Sequence, residues 1–179
     1  AEMHRETQEQ YGLDYDNFIG KTVQKNNLEL DGLVFFREHR IRFQQELARK
    51  GRGLPKPMDK RLDLFCEKLE TLLDLGDEKP ALLHGDLWSG NYFASHDQVP
   101  YIFDPAVYFG LREADLAMTE MFGRLPKEFY SAYQEVFPIQ PGYNKRKEIY
   151  NLYHLLNHYN LFGGSYLEQA DQTVRSFLD

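Results

Sequence analysis

The stretch LLHGDLWSGNYF at residues 82–93 places a compact polar cluster between two short apolar runs. The apolar ends have the length and composition of strands, and the two glycines between them allow the backbone to turn sharply. This turn carries an acid, Asp86, and an amide, Asn91, five positions apart, together with Trp88, the only tryptophan of the chain. A solvated surface turn needs only polar residues. The added glycines and indole indicate a turn whose side chains are directed at a ligand.

Helical patterns lie on both sides of this stretch, and short apolar runs with turn signals surround it. The spacing of apolar residues predicts helices at residues 33–50, from a cap at Asp59 to Gly76, and at 113–122, 127–137, 145–160 and beyond 164. Strands are predicted at residues 81–84, 92–94 and 101–103, the last two joined by a hairpin connection, while residues 11–31 are expected to be irregular. The chain is therefore predicted to be one α+β domain, residues 1–179, predominantly helical with a small β-hairpin insert.

The amino-acid composition limits the classes of protein to which this chain can belong. The chain has 179 residues, of which 42% are hydrophobic and 15% aromatic, enough for a packed core. A formal net charge of −7 argues against a nucleic-acid-binding surface, which needs clustered Lys and Arg. No apolar run approaches the roughly 20 residues that cross a bilayer, and we expect no membrane association. The single Cys66 lies on the apolar stripe of a predicted helix, so we interpret it as a core residue, and we expect a reducing, cytoplasmic compartment.

Asp86, Asn91 and Asp104 form a set suited to phosphoryl transfer. Asp104 follows Asn91 by 13 residues, at the end of a predicted strand. That reaction needs a carboxylate to orient a substrate hydroxyl and accept its proton, and oxygen ligands to hold Mg²⁺ on nucleotide phosphates. Asp86 and Asn91 alone could simply make hydrogen bonds within a turn. The combination with a second strand that ends in an acid favours the catalytic interpretation.

Three neighbours in the turn have separate expected roles. Trp88 stands between turn residues, which favours lining a pocket over a place in the core. His84 directly precedes the glycine and Asp86, so we expect it to support the loop by hydrogen bonds. Ser89 is expected to be a turn-forming hydroxyl, because the sequence shows no G-x-S-x-G pattern.

The charged residues beyond Asp104 are expected to support the site from a helix entrance. Asp115 and Glu113 are predicted to hold the catalytic loop, whereas Arg112 could pair with one of these acids or face an anionic ligand. His154 and His158 have a spacing of four that metal sites use, but they lack the glutamate of an H-E-x-x-H pattern. We therefore expect them to be surface or core histidines.

Four motifs resemble the fructosamine kinase (ketosamine-3-kinase) family. They are DNFIGKTVQKN at 16–26, HGDLWSGN at 84–91, DPAVYFGLREADLAM at 104–118 and NLYHLLNHYNLFGG at 151–164. The family belongs to the protein-kinase-like superfamily, alongside aminoglycoside and choline phosphotransferases. The resemblance implies that Asp86 is the proton acceptor, that Asn91 and Asp104 hold Mg²⁺, and that Trp88 packs on the sugar-derived substrate.

The resemblance also implies the reaction and its partners. The expected activity is ATP-dependent phosphorylation of a sugar hydroxyl in fructosamines or ketosamines, on small amines or glycated proteins, which reverses glycation. Two alternatives remain open at this point. One is a kinase for another small alcohol, such as an aminoglycoside or choline, and the other is a non-catalytic lobe that binds a ligand or partner chain.

One part of the kinase pattern is missing from the sequence. No G-x-G-x-x-G loop and no strand lysine precede the first long helix, and these groups cover and hold the nucleotide phosphates in protein kinases. The chain is therefore predicted to be the C-terminal lobe of a protein-kinase-like fold without its N-terminal nucleotide-cover lobe. We expect weak ATP binding, little turnover by this chain alone, and self-association through the uncovered face.

Overall fold

The computed structural model describes residues 1–76 and 78–178, which form an α+β structure dominated by helices. The helices are α1 (Glu2–Arg5), α2 (Gly32–Phe35), a π-helical segment (Phe36–Arg42), α3 (Phe43–Lys50), α4 (Lys56–Leu72), α5 (Glu113–Met121), α6 (Lys127–Val136), α7 (Tyr143–Phe162) and α8 (Tyr166–Leu178). The strands are β1 (Asn17–Ile19), β2 (Thr22–Gln24), β3 (Ala81–Leu83), β4 (Tyr92–Ala94), β5 (Pro100–Ile102) and β6 (Tyr108–Gly110). None of the helices in the described part of the chain is both long and apolar enough to cross a membrane.

The core is built around α7, which packs against α3, α5 and α8. Its apolar residues recur every three or four positions, so Ile149, Leu152 and Leu156 lie on one face and are fully buried. The apolar stripe of α4 contributes Leu62, Phe65, Cys66 and Leu69 to the same core cluster. The prediction from hydrophobic spacing is confirmed for these helices, and Cys66 is a buried core residue.

The first long helix, predicted at 33–50, runs without a break from α2 through the π-helical segment to α3. Asp31 caps it, because its Oδ1 accepts hydrogen bonds from the backbone N–H of Leu33 at 2.7 Å and of Val34 at 3.1 Å. Arg40, on the apolar stripe, is fully buried, and its guanidinium lies 3.9 Å from the centre of the Tyr108 ring. Stacking on an aromatic face explains how an arginine occupies a core position.

The predicted cap at Asp59 is wrong. Helix α4 begins three residues earlier, with a proline in its first turn, and ends at Leu72 rather than at Gly76. The Asp59 carboxylate instead accepts hydrogen bonds from Gln45 at 2.7 Å and from Arg49 at 2.8 Å, both on α3. These contacts join α4 to the preceding helix.

Three antiparallel strand pairs complete the fold. The hairpin β4–β5 has the register Tyr92↔Ile102, and the pair β3–β6 encloses it with Leu83↔Tyr108. The third pair, β1–β2, lies in residues 11–31, so the prediction that this segment is irregular is wrong. Its alternation is inverted, because Thr22 and Gln24 face inward while Val23 faces outward, and apolar periodicity gives no strand signal there.

Candidate active site

The site forms on the turn between β3 and β4, with Asp86 and Asn91 in direct contact. Nδ2 of Asn91 donates hydrogen bonds to the backbone oxygen of Asp86 at 2.9 Å and to its Oδ2 at 3.2 Å. Asn91 is 5% exposed, and Asp86 is half-buried. Because the amide nitrogen faces Asp86, the amide oxygen Oδ1 lies on the opposite branch of the side chain.

The environment of Asp86 raises its pKa to about 6. Burial is the largest cause, and the negative charges of Asp104 and Asp115 act in the same direction, while the hydrogen bond from Asn91 lowers the pKa. A carboxylate with a pKa near neutrality is mostly ionised at pH 7 and yet basic enough to receive a proton. Asp86 therefore has the properties of a general base.

Asp104 lies two residues beyond β5, in an exposed position. Its φ is +54°, a left-handed backbone conformation that is uncommon for residues other than glycine. Such conformations cluster at active sites, where surrounding contacts maintain them. The backbone on both sides of Asp104 is hydrogen-bonded to the turn that carries Asp86, because the N–H of Phe103 donates to the oxygen of Asn91 at 3.1 Å and the N–H of Ala106 to the oxygen of His84 at 2.8 Å.

A buried carboxylate on α5 holds the turn in place. Oδ1 of Asp115 accepts a hydrogen bond from the N–H of Gly85 at 2.8 Å, and Oδ2 accepts one from the N–H of His84 at 2.7 Å. Nε2 of His4, on α1, lies 3.1 Å from the same Oδ2. The contact with His4 had no signal in the sequence, because a single histidine near the first residue matches no motif.

His84 joins the two halves of the site. Its Nδ1 accepts a hydrogen bond from the N–H of Asp86 at 3.3 Å, so Nε2 carries the proton and donates to the backbone oxygen of Phe103 at 3.0 Å. Gly85 also lies against the segment after Asp104, because a Cβ built on it would stand 2.0 Å from the oxygen of Ala106. These contacts fix the spacing between the two acidic turns.

Trp88 stands at the outer edge of the turn and is half-buried. Its ring meets that of Phe122 edge-to-face, with centroids 5.9 Å apart, and a Cβ on Gly90 would come within 2.3 Å of the indole. Ser89 donates a hydrogen bond to the backbone oxygen of Phe122 at 2.8 Å. The indole is thus held at the rim, with part of its surface in solvent.

Other candidates from the sequence lie away from the turn. Glu113 accepts two hydrogen bonds from Arg146, both at 2.7 Å, and makes no hydrogen bond to residues 84–91. Arg112 pairs with Glu78 and donates to a backbone oxygen in the loop after α6. His154 is buried, which lowers its pKa to about 3, so it belongs to the core.

The donor set fits a hard cation such as Mg²⁺. Among the described residues, no group of three or more His, Cys, Asp or Glu side chains could enclose a metal. One carboxylate and one amide oxygen suit an ion that keeps several waters and binds substrate phosphates. Asn91 and the exposed Asp104 carry one oxygen donor of each kind.

Comparison with known proteins identifies the family. The family model for fructosamine kinase matches residues 1–179. The chain is 46% identical over 180 residues to a probable ketoamine kinase from Vibrio parahaemolyticus. The alignment covers 99% of this chain and 60% of that protein. It is 43% identical to the chloroplastic protein-ribulosamine 3-kinase of Oryza sativa subsp. indica, over 99% of this chain and 52% of that protein.

Solved structures agree with this assignment. A Thermobifida fusca protein assigned as a fructosamine-3-kinase superposes with a TM-score of 0.90 at 33% identity, over 98% of this chain and 60% of that one. A Haemophilus somnus protein with the same assignment gives a TM-score of 0.86 at 32% identity, over 99% and 60%. The chain therefore belongs to the fructosamine kinase family. It spans about 60% of the length of the first curated relatives that it matches.

Proposed function

We propose that this chain carries the catalytic base and the metal ligands of an ATP-dependent kinase that phosphorylates a sugar hydroxyl of ketosamines. The observation that supports this most is the contact between Asn91 and Asp86, which aligns a base of raised pKa beside an amide oxygen and Asp104. Kinase names among the relatives, a ketoamine kinase and a ribulosamine 3-kinase, support the same substrate class. The carriers of the sugar would be small amines or glycated proteins.

In the proposed reaction, Asp86 orients the acceptor hydroxyl and receives its proton. The hydroxyl oxygen forms a bond to the γ-phosphorus of ATP while the bond from that phosphorus to the β,γ-bridging oxygen breaks, and ADP leaves. Bound Mg²⁺ would neutralise charge on the phosphates, and Asn91 and Asp104 would hold it. Trp88 would pack on the sugar, with its position set by Phe122.

The roles of the supporting residues follow from their contacts. Asp115 and His84 would keep Asp86 at a fixed distance from the segment that carries Asp104, because both hydrogen-bond to the turn. Ser89 would hold the rim beneath Trp88 through its hydrogen bond to the backbone of Phe122. These residues would act by positioning and would not contact substrate.

We also propose that residues 1–179 act as the C-terminal, catalytic lobe of a protein-kinase-like enzyme, with the nucleotide cover supplied by a separate lobe. The sequence has no G-x-G-x-x-G loop, which supports this division. An aromatic face on the β4–β5 hairpin is half exposed, formed by Phe93, Tyr101 and Phe103. That face would pack against the cover, or against a second copy when the cover is absent.

The test uses the protein expressed from its complete reading frame, assayed for transfer of the γ-phosphoryl group from ATP to a ketosamine. Asp86→Asn should lower kcat by about 10²–10⁴-fold, the usual contribution of a general base. Asp97→Asn is the matched control, since that carboxylate is 90% exposed on a hairpin loop. Full activity of Asp86→Asn would disprove the assignment.

A substrate panel separates the alternatives. Ketosamines, aminoglycosides and choline are compared by kcat/KM, and we expect the ketosamines to be preferred. Asp104→Asn should raise the Mg²⁺ concentration for half-maximal rate by at least the ~10–100-fold that losing a supporting residue costs a metal site. Binding of ketosamine without any phosphoryl transfer would instead identify a non-catalytic binding lobe.

A further inference from the structure

The backbone just after Asp104 is held from below by side-chain amides of the β1–β2 hairpin. Nδ2 of Asn17 donates to the oxygen of Val107 at 2.8 Å, and Nε2 of Gln24 donates to the oxygen of Ala106 at 2.9 Å. These carbonyls lie two and three residues beyond the left-handed Asp104. The hairpin thus holds residues 106 and 107, whereas His84 holds Phe103 on the other side of Asp104.

The two amides of this hairpin are linked to each other and to a third amide, Asn26, two residues beyond β2. Oδ1 of Asn17 accepts from Gln24 at 2.9 Å and from Nδ2 of Asn26 at 2.8 Å. Asn26 and Gln24 are 0% and 1% exposed, so water does not compete for these groups. We call Asn17, Gln24 and Asn26 the amide relay.

Two donor groups determine how the side-chain amides of the relay are oriented. Nη2 of Arg40 donates to Oδ1 of Asn26 at 3.0 Å, and the hydroxyl of Tyr153 donates to Oε1 of Gln24 at 3.0 Å. A guanidinium can only donate, so the oxygen of Asn26 must face Arg40 and its NH₂ must face Asn17. Because the NH₂ of Asn26 donates, it must face the oxygen of Asn17. The NH₂ of Asn17 then faces the other way and donates to the backbone oxygen of Val107.

Arg40 is suited to this role by the way in which its buried charge is accommodated. No carboxylate lies within ion-pair distance of Arg40 in residues 1–76 and 78–178. Its charge is accommodated by the aromatic faces of Tyr108 and Phe35, at 3.9 and 4.6 Å from their centroids. Its polar contacts go to backbone oxygens and to Asn26.

We propose that Arg40 and the amide relay position the backbone of Asp104, so that the β1–β2 hairpin determines the geometry of the metal ligand. The role of Asp104 as a ligand rests on the proposed function, whereas the hold on the backbone does not. Arg40 and the relay are positioning residues, since none of them contacts Asp86 or Asn91. Without the relay, Asp104 should leave its left-handed conformation more often and hold Mg²⁺ less well.

Asn26→Asp is the most informative variant. A carboxylate at position 26 still accepts from Arg40 and gives that buried cation a counter-ion, which offsets part of the cost of losing the hydrogen bond from Asn26 to the backbone oxygen of Tyr15. The carboxylate cannot donate to Asn17, however, and it attracts the NH₂ of that amide. When Asn17 turns, its oxygen faces the oxygen of Val107 and the hold on that carbonyl is lost.

The first readout is hydrogen exchange of the peptide 103–109, which requires no activity. We expect exchange there to be about tenfold faster in Asn26→Asp, the effect of losing a buried hydrogen bond. Asn151→Asp is the matched control, because Asn151 is a buried amide that donates to the oxygen of Ala117 at 3.0 Å on α5. This control removes the same kind of bond elsewhere and should leave 103–109 unchanged.

The second readout is kinetic, with the protein from its complete reading frame. Asn26→Asp should raise the Mg²⁺ concentration for half-maximal rate about tenfold and leave the KM for ketosamine within twofold. If Asn26→Asp accelerates exchange throughout the chain, the same two measurements on Gln24→Glu decide whether the relay holds Asp104. This variant removes only the hydrogen bonds that Gln24 donates to the backbone oxygen of Ala106 and to Oδ1 of Asn17.

The outcomes separate the two proposals. If hydrogen exchange of residues 103–109 is no faster in Asn26→Asp than in the Asn151→Asp control, the proposed role of the relay is wrong, regardless of the kinetic result. A wild-type protein without phosphoryl transfer overturns the proposed function, and exchange then decides the relay alone. Faster local exchange with an unchanged Mg²⁺ requirement overturns the link between the relay and the metal ligand.

Discussion

Oδ1 of Asp115 accepts a hydrogen bond from the N–H of Gly85 at 2.8 Å, so a buried acid on α5 holds the residue next to Asp86. Burial alone would raise the pKa of Asp115, but hydrogen bonds from His4 and from the backbone of Gly85 and His84 outweigh it, and the pKa lies below its usual value. The carboxylate therefore stays ionised although it is 1% exposed. The ionised carboxylate accepts the hydrogen bonds that hold the turn in place.

Asp115→Asn should destabilise the protein and loosen the turn. An asparagine offers one acceptor oxygen in place of two, and its NH₂ would face a backbone N–H, which leaves a buried donor unpaired. We expect a loss of about 1–3 kcal/mol in the free energy of unfolding, measured by urea denaturation. Asp97→Asn, on an exposed loop, should change this free energy by less than ~0.5 kcal/mol. Equal stability of the two variants would contradict the role given to Asp115.

Gly85→Ala should be far more harmful than the same change at Gly53. Both glycines have positive φ, +81° and +88°, so both alanines carry the same backbone cost, about 1–2 kcal/mol. A Cβ at position 85 would also stand 2.0 Å from the oxygen of Ala106, whereas position 53 has nothing within 4 Å. The difference between the two unfolding free energies isolates the close approach of the acidic turns. No difference would mean that the turns separate at little cost.

Hydrophobic spacing predicted the helices because they bury apolar residues, and it predicted the strands next to the site because their short runs are apolar even where they are exposed, as in β4 and β5. Cys66 and Leu69 on α4 recur with the helical period, and β4 and β5 follow the apolar runs around their connection. The candidate residues of the turn between β3 and β4 were recognisable for a different reason. Asp86 and Asn91 stand at a fixed spacing in a turn, and spacing along the chain is visible in a sequence.

The supporting contacts could not be predicted because they join distant parts of the chain through buried polar groups. Gln24 faces inward on β2 while Val23 faces solvent, the reverse of the usual alternation. Arg40 stands on an apolar stripe, and its burial is explained by distant groups, the Tyr108 ring and Asn26. The pairing of Glu113 with Arg146 likewise depends on how α5 and α7 pack, which no local pattern encodes.

Cys66 should be unreactive in the folded protein. Its thiol is 1% exposed, and burial raises its pKa to about 12, so the reactive thiolate is scarce at pH 8. We expect modification by a disulfide reagent at least ~10³-fold slower than in urea-unfolded protein, because the reaction requires opening of the core. The unfolded chain under the same reagent is the control. Rapid labelling of the native protein would show that α4 opens readily.

The raised pKa of Asp86 predicts that this residue lowers stability at neutral pH. Its pKa is about 6 in the folded protein, against an ordinary value of 3.8. The folded state therefore holds the proton more tightly than the unfolded state does. This contribution is favourable below about pH 4 and is lost as the pH rises through 6. A neutral side chain of the same shape should escape the loss.

Asp86→Asn should consequently unfold at a higher temperature than the wild type at pH 8, and the two should converge as the pH falls from 6 to 4. The expected gain is a few °C, read from unfolding temperatures across that range. The catalytic rate of the wild type should rise with pH through an apparent pKa near 6, and the variant should lack both this dependence and most of the rate. A constant difference in unfolding temperature from pH 4 to 8 would show that Asp86 titrates normally. A gain in stability coupled to a loss of rate is the result expected if Asp86 is the proposed catalytic base.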